Sequence, residues 1–82
     1  MRIIKTVELK SHNTAYALDT VPTQDEKLDF IQWKVNVGIE DYVELGMFMS
    51  SGPAKYVIEY PAIIVYADSP DFAKTMCLLK YS

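Results

Sequence analysis

The segment from residue 23 to residue 39 constrains the fold more than any other part of the chain, because it decides between two fold classes. Thr23-Gln24-Asp25-Glu26 matches a capping box, in which a threonine hydroxyl and a glutamate carboxylate satisfy each other's backbone amides. Gly38 stands where a left-handed residue commonly ends a helix. These features predict a helix over residues 24–37.

The same segment also alternates as a strand does. Apolar side chains occupy every second position from 31 to 39, namely Ile31, Trp33, Val35, Val37 and Ile39. This spacing and the β-branched content are typical of a strand. As a helix, the segment is apolar on two sides. These sides are formed by Leu28, Ile31 and Val35, and by Phe30, Trp33 and Val37.

Strands are predicted elsewhere by alternating or continuous apolar runs. These runs cover residues 2–9, 14–18, 42–49, 55–60 and 62–66. Ser11-His12-Asn13 predicts a turn that joins the first two strands, and Ser50-Ser51-Gly52-Pro53 predicts another. Pro61 has no amide donor and therefore predicts a bulge, an edge or a strand break.

A second helix is predicted over residues 70–80. Ser69 is a suitable N-cap, Pro70 suits the first helical position, and Asp71 suits the positive end of the helix dipole. One apolar face follows, composed of Phe72, Met76 and Leu79 and flanked by Ala73 and Cys77.

Together these elements predict a single α+β domain over residues 1–82. It has two layers, with an antiparallel sheet of four to five strands and two helices, 24–37 and 70–80, packed against it. If residues 24–37 are not helical, the alternative is a β-meander from residue 30 to residue 66 with a C-terminal helix.

The chain has few means of cross-linking itself. Cys77 is the only cysteine, so no disulfide can form within the chain, and one cysteine with one histidine cannot complete a structural zinc site. Stability must therefore come from packing or from self-association. A lone cysteine and a charged N-terminal stretch without a signal-peptide core indicate a cytoplasmic protein.

The charge balance argues against nucleic acid and membrane as partners. Eleven acidic residues outnumber eight basic ones, whereas binding DNA needs a basic face. The longest apolar run, residues 62–67, is far shorter than the roughly 20 residues of a membrane helix. Seven of the acids lie between residues 19 and 44, which predicts an exposed acidic region in the middle of the chain.

No motif in the sequence predicts catalysis, a cofactor or a metal site. The acids lack the spacing of a calcium loop, and the three glycines are isolated rather than grouped in a phosphate loop. Cys77 falls within the second predicted helix, whereas His12 lies in a turn near the other end, so packing explains the cysteine better than nucleophilic catalysis. We therefore do not expect an enzyme.

Two segments resemble small uncharacterised proteins of tailed bacteriophages. They are EKLDFIQWKVNVG at residues 26–38 and IIVYADSPDFAKTMCLLKY at residues 63–81. The second combines a strand, an acidic turn and a closing helix with an apolar, basic and aromatic tail. The chain departs from the pattern between residues 42 and 60, where an extra hairpin is inserted. The resemblance implies a phage origin and the order of strand and helix, and it implies no activity.

The expected function is that of a small non-enzymatic phage protein that binds and modulates a host protein. It would act in the host cytoplasm, in host takeover or as an anti-defence inhibitor. The acidic middle would speed docking onto a basic target. The alternative is a structural or assembly accessory protein that acts through self-association.

Candidate partner-binding residues are methionines and aromatic side chains of the first predicted helix and of the third and fourth predicted strands. They are Trp33, Tyr42, Met47, Phe48, Met49 and Tyr56. Methionine and tyrosine are favoured at interfaces, although the same side chains also suit core and sheet packing. The surplus of apolar pattern predicts a homodimer, with Met47, Phe48 or Met49 and also Trp33 in its interface.

Overall fold

The chain runs through two strands, a helix, two further strands and a last helix. A computed structural model describes residues 1–51 and 57–82. The elements are β1 (Ile3–Glu8), β2 (Thr14–Leu18), α1 (Gln24–Asn36), β3 (Val43–Ser51), β4 (Val57–Val65) and α2 (Asp71–Tyr81). The predicted α+β fold is confirmed, and the β-meander alternative is wrong because residues 24–36 are helical.

The strands of the described residues form one antiparallel sheet in the order β1-β2-β4-β3. β2 and β4 are therefore inner strands, and β1 and β3 are the edges. The main core lies on one side of the sheet, where strand side chains meet both helices. Its buried members are Tyr16, Leu18, Phe30, Ile39, Val43, Ile63, Val65, Ala73, Cys77 and Tyr81.

A smaller apolar cluster occupies the opposite side of the sheet. It consists of Ala15, Ala17, Phe48, Ala62 and Ile64, all buried. Both described helices contribute their buried residues to the main core instead. The small alanine side chains at the centre of this face are covered by their larger neighbours. They are therefore shielded from solvent although neither described helix packs on this side.

The capping box at the start of α1 forms as the sequence predicts. The Thr23 hydroxyl accepts from the Glu26 amide at 3.2 Å, and the Glu26 carboxylate accepts from the Thr23 amide at 3.0 Å. The Met1 ammonium lies 2.6 Å from the same carboxylate and, with the Thr23 amide, holds the pKa of Glu26 below its ordinary value. At the other end, Gly38 has a φ of +77°, a left-handed conformation that glycine adopts at little cost because it has no Cβ.

Replacing the capping hydroxyl should weaken the fold. We expect Thr23→Ala to lower the free energy of unfolding by about 1 kcal/mol, because the Glu26 amide loses its acceptor. Urea unfolding followed by circular dichroism measures the change. Thr20→Ala is the matched control, since Thr20 is exposed and lies outside the helix. An equal loss in both variants would contradict the role of the cap.

Pro61 does not interrupt β4, so the expected bulge or strand break is wrong, whereas the expected edge position is confirmed on the side of β2. β4 runs through it, with Pro61 opposite Met47 on β3. Bonded and non-bonded pairs alternate along this ladder, and the Tyr66 amide donates to the Tyr42 carbonyl at 2.9 Å. Tyr42 and Tyr66 form a bonded pair, and the alternation from there makes Met47 and Pro61 a non-bonded pair. These two residues therefore exchange no hydrogen bond. The pairing of β4 with β2 ends at Ala62. An amide at position 61 would therefore have no partner on that side, and its absence removes no hydrogen bond.

The first turn of α2 differs from the prediction. The helix begins at Asp71, with Pro70 rather than Ser69 in the N-cap position and no side-chain cap. Ser69 lies one residue too early to reach the free amides, and its hydroxyl is buried with no partner among the described residues.

The buried face of α2 is also rotated from the one predicted. Ala73, Cys77 and Tyr81 are buried, whereas Phe72 and Leu79 are exposed. Ala73 and Cys77 lie in the main core together with Tyr81, so the larger side chains of Phe72 and Leu79 face outward.

The end of β3 is longer than predicted. The strand continues to Ser51, so the turn expected at residues 50–53 does not begin at Ser50. The remainder of that turn and the first two residues of the strand expected at 55–60 lie outside the described residues.

Candidate functional site

The structure separates the three consecutive candidates on β3. Met47 and Met49 point to the side of the sheet that carries the helices, with 57% and 69% of their surface exposed. Phe48 points to the other side, where it is buried and stacks on the Tyr60 ring at 5.3 Å between centroids. Only the two methionines are therefore free to contact a partner directly.

The remaining candidates are spread over different parts of the molecule. Trp33 is partly buried between the helices, with its ring edge-on to Tyr81 at 5.3 Å. Tyr42 is partly buried against the main core. Tyr56 lies outside the described residues. Trp33 and Tyr42 therefore serve the core, and they do not join Met47 and Met49 in one surface.

A surface that was not assigned from the sequence lies on α1. Leu28, Ile31 and Val35 are 55%, 52% and 49% exposed, although each is a large apolar side chain. Their spacing of i, i+3 and i+7 places them on one stripe of the helix, which we call the outward stripe. The opposite side of α1 carries Phe30, which is buried in the core. The two-sided apolar pattern of this segment was the sequence signal for it.

A shallow groove continues the outward stripe towards β3. One part, of about 350 Å³, lies between Ile31 on the helix and Leu45 on the strand. A second part, of about 190 Å³, shares Leu45 and extends to Val21 and Met47. Lys27 lines both parts, so the stripe, the groove and the exposed Met47 form adjoining regions of one side of the molecule.

The charges beside the outward stripe differ in sign on its two sides. Lys27 and Lys34 line the groove on the β3 side. Asp25 and Asp29 lie on the α2 side, where Asp29 forms an ion pair with Lys80 at 3.4 Å. Exposed pairs of this kind add little stability, but their arrangement can orient a charged partner.

Cys77 and His12, the residues weighed from the sequence as a nucleophile and its base, differ in their burial. Cys77 is fully buried, and burial raises the pKa of its thiol to about 11. His12 is exposed in the turn between β1 and β2. The described residues contain no cluster of three histidine, cysteine or carboxylate side chains that could hold a metal ion.

A separate cavity of about 260 Å³ lies beside the start of α1. It is lined by Asp25, Glu26 and Asp29, together with Met1 and Tyr81. Glu26 is already engaged by the Met1 ammonium and by the capping box. Burial raises the pKa of the Tyr81 hydroxyl to about 12.

Comparisons with known proteins do not point to a function for this chain. None of the described helices is long and apolar enough to cross a membrane. No protein-family model, curated protein or solved structure matches the chain. The resemblance to phage proteins therefore stays a prediction from the two sequence segments.

Proposed function

We propose that this chain is a small non-enzymatic binding protein, which docks on another protein with the outward stripe of α1. The single observation that supports the proposal is the exposure of Leu28, Ile31 and Val35 on the side of the helix opposite the core. The phage resemblance makes a host protein in the host cytoplasm the partner that we propose. Binding would modulate that protein, in host takeover or as an anti-defence inhibitor.

The physical basis is the apolar area that α1 leaves in contact with water. An amphipathic helix commonly binds by laying apolar residues at i, i+3 and i+7 into a groove of its partner. Each of these side chains has about half its surface left to bury, which corresponds to about 1 kcal/mol for each. The stripe can thus supply the apolar centre of an interface.

The flanking charges would fix the orientation of the partner. Lys27 and Lys34 favour acidic groups on the β3 side of the stripe, whereas Asp25 favours basic groups on the other. A partner docked the wrong way round would bring like charges together. We therefore expect the target groove to have one acidic and one basic rim.

Replacing one apolar residue of the stripe with a charged one should weaken binding and spare the fold. We expect Leu28→Lys to weaken partner binding by about tenfold or more, because a lysine cannot be buried in an apolar groove. Affinity capture from host lysate, with the chain as bait, measures the retained protein. Circular dichroism of the bait checks that the fold is intact.

Leu79→Lys on α2 is the matched control, since Leu79 is also an exposed leucine on a helix. We expect it to retain the same protein as the wild type. Capture that survives Leu28→Lys, or that is lost only with Leu79→Lys, would contradict docking through α1.

A second candidate function is an assembly role through self-association. The observation that favours it is the open outer edge of β3, which lies outside the α1 stripe.

A further inference from the structure

The outer edge of β3 carries a row of backbone groups without partners among the described residues. β3 pairs with β4 on one side only, in continuous register over its nine residues. The hydrogen bond from the Tyr66 amide to the Tyr42 carbonyl sets the alternation along that ladder. The amides and carbonyls of Leu45, Met47 and Met49 consequently point away from β4.

Among residues 1–51 and 57–82, one side-chain hydrogen bond reaches this edge from the groove side. The Lys34 ammonium donates to the Val43 carbonyl at 3.3 Å, as expected for a carbonyl that faces away from β4. The other edge of the sheet, β1, is protected in the usual ways. It has six residues, a register shift between Ile3 and Lys5, and a lysine at that irregularity. β3 has no such irregularity, and Glu44 is its only charged residue.

We propose that two copies of this chain pair through the outer edges of β3, as antiparallel strands related by a two-fold axis at Met47. Met47 is the midpoint of the nine-residue strand, so this arrangement pairs residues 45–49 of one copy with residues 49–45 of the other. Leu45 then lies opposite Met49 of the second copy. The outward groups of Leu45, Met47 and Met49 supply six backbone hydrogen bonds between the copies, and the two sheets become one of eight strands.

The side chains of β3 suit a second copy of the same strand. On the helix side, Met47 meets its own symmetry mate and Leu45 meets Met49, so the pairs at the centre of the interface are apolar. On the other side, Gly46 lies opposite Phe48 of the second copy, which places a large ring beside a residue without a side chain. Glu44 falls opposite Ser50, and no like charges face each other.

The pairing goes beyond the proposed binding function, because it uses the strand edge rather than the outward stripe. Directly opposed residues of paired strands point to the same side of a sheet. Both α1 helices would therefore lie on one side of the eight-stranded sheet. Each dimer would present two outward stripes on that side, which suits a partner that offers two sites.

Sedimentation of wild type, Met47→Pro and Thr6→Pro at micromolar concentration tests the pairing. Wild type should sediment at twice the chain mass of 9.4 kDa, and Met47→Pro at 9.4 kDa. Proline removes the outward amide of Met47 without breaking the β4 ladder, as Pro61 does opposite it. Thr6→Pro is the control on the other edge, since the Thr6 amide faces away from β2, and it should stay dimeric.

Amide hydrogen exchange of the wild type keeps the test valid if a proline variant fails to fold. We expect the amides of Leu45, Met47 and Met49 to be protected at dimer concentrations and to lose protection on dilution. The outward amides of Thr6 and Glu8 should exchange fast at both concentrations. A monomer at every concentration, a dimer that persists in folded Met47→Pro, or a dimer with unprotected β3 amides would each overturn the proposal.

Discussion

Removing the Phe30 ring should destabilise the chain more than any other single change on α1. We expect Phe30→Ala to lower the free energy of unfolding by about 3–5 kcal/mol. Phe30 is buried between the helices, with its ring 5.7 Å from that of Trp33 and 6.1 Å from that of Tyr81. An alanine leaves a cavity that these aromatic neighbours cannot fill without losing their own contacts.

A loss of this size is a large part of the total free energy of unfolding, which is about 4–12 kcal/mol for a domain of 82 residues. The midpoint of thermal unfolding should fall by on the order of 20 °C. Circular dichroism at a fixed protein concentration measures both quantities. Phe72→Ala, which truncates a half-exposed ring on α2, should cost less than about 1 kcal/mol. Similar losses in the two variants would contradict the assigned core.

A comparable loss is expected at the centre of the sheet. Ile63 is fully buried on the inner strand β4, between Tyr16 on β2 and Leu45 on β3, and it faces the helices. We expect Ile63→Ala to lower the free energy of unfolding by about 2–5 kcal/mol, because three elements lose contacts at once.

Ile4→Ala is the matched control for this change. Ile4 lies on the edge strand β1 and is exposed, so its truncation should change the free energy of unfolding by about 0.5 kcal/mol or less. Urea unfolding of both variants measures the difference. A cost at Ile4 equal to that at Ile63 would show that the core lies elsewhere.

Local signals predicted the helices and most strands well. The capping box of Thr23 and Glu26 and the left-handed Gly38 both form, and together they mark the ends of α1 against a strand-like alternation. This alternation follows from the two-sided apolar character of the helix. The β-branched residues at exposed positions on α1 lower helix propensity only slightly, so the caps and the buried Phe30 outweigh them.

Features that depend on distant parts of the chain could not be predicted in the same way. Pro61 is tolerated because of its register against Met47 and because the β2 ladder stops at Ala62. Neither fact is visible in the local sequence. The buried face of α2 is likewise set by which of its residues join the main core, and these are Ala73, Cys77 and Tyr81.

The candidate site was predicted only in part for the same reason. The exposed Met47 and Met49 were anticipated from three consecutive apolar residues on a strand. Which of the three would be buried depends on the stacking of Phe48 on Tyr60 across the ladder. The outward stripe of α1 was visible as a pattern, but its exposure follows from the position of the helix over the sheet.

The central claim, that the outward stripe contacts a partner protein, is tested most directly by photo-cross-linking. A photoreactive amino acid would replace Val35 on the stripe or, as a control, the exposed Lys74 on α2, in chains added to host lysate. The account predicts one adduct from position 35 that excess wild-type chain suppresses, and no such adduct from position 74. No adduct from position 35, or the same adduct from both positions, would contradict it.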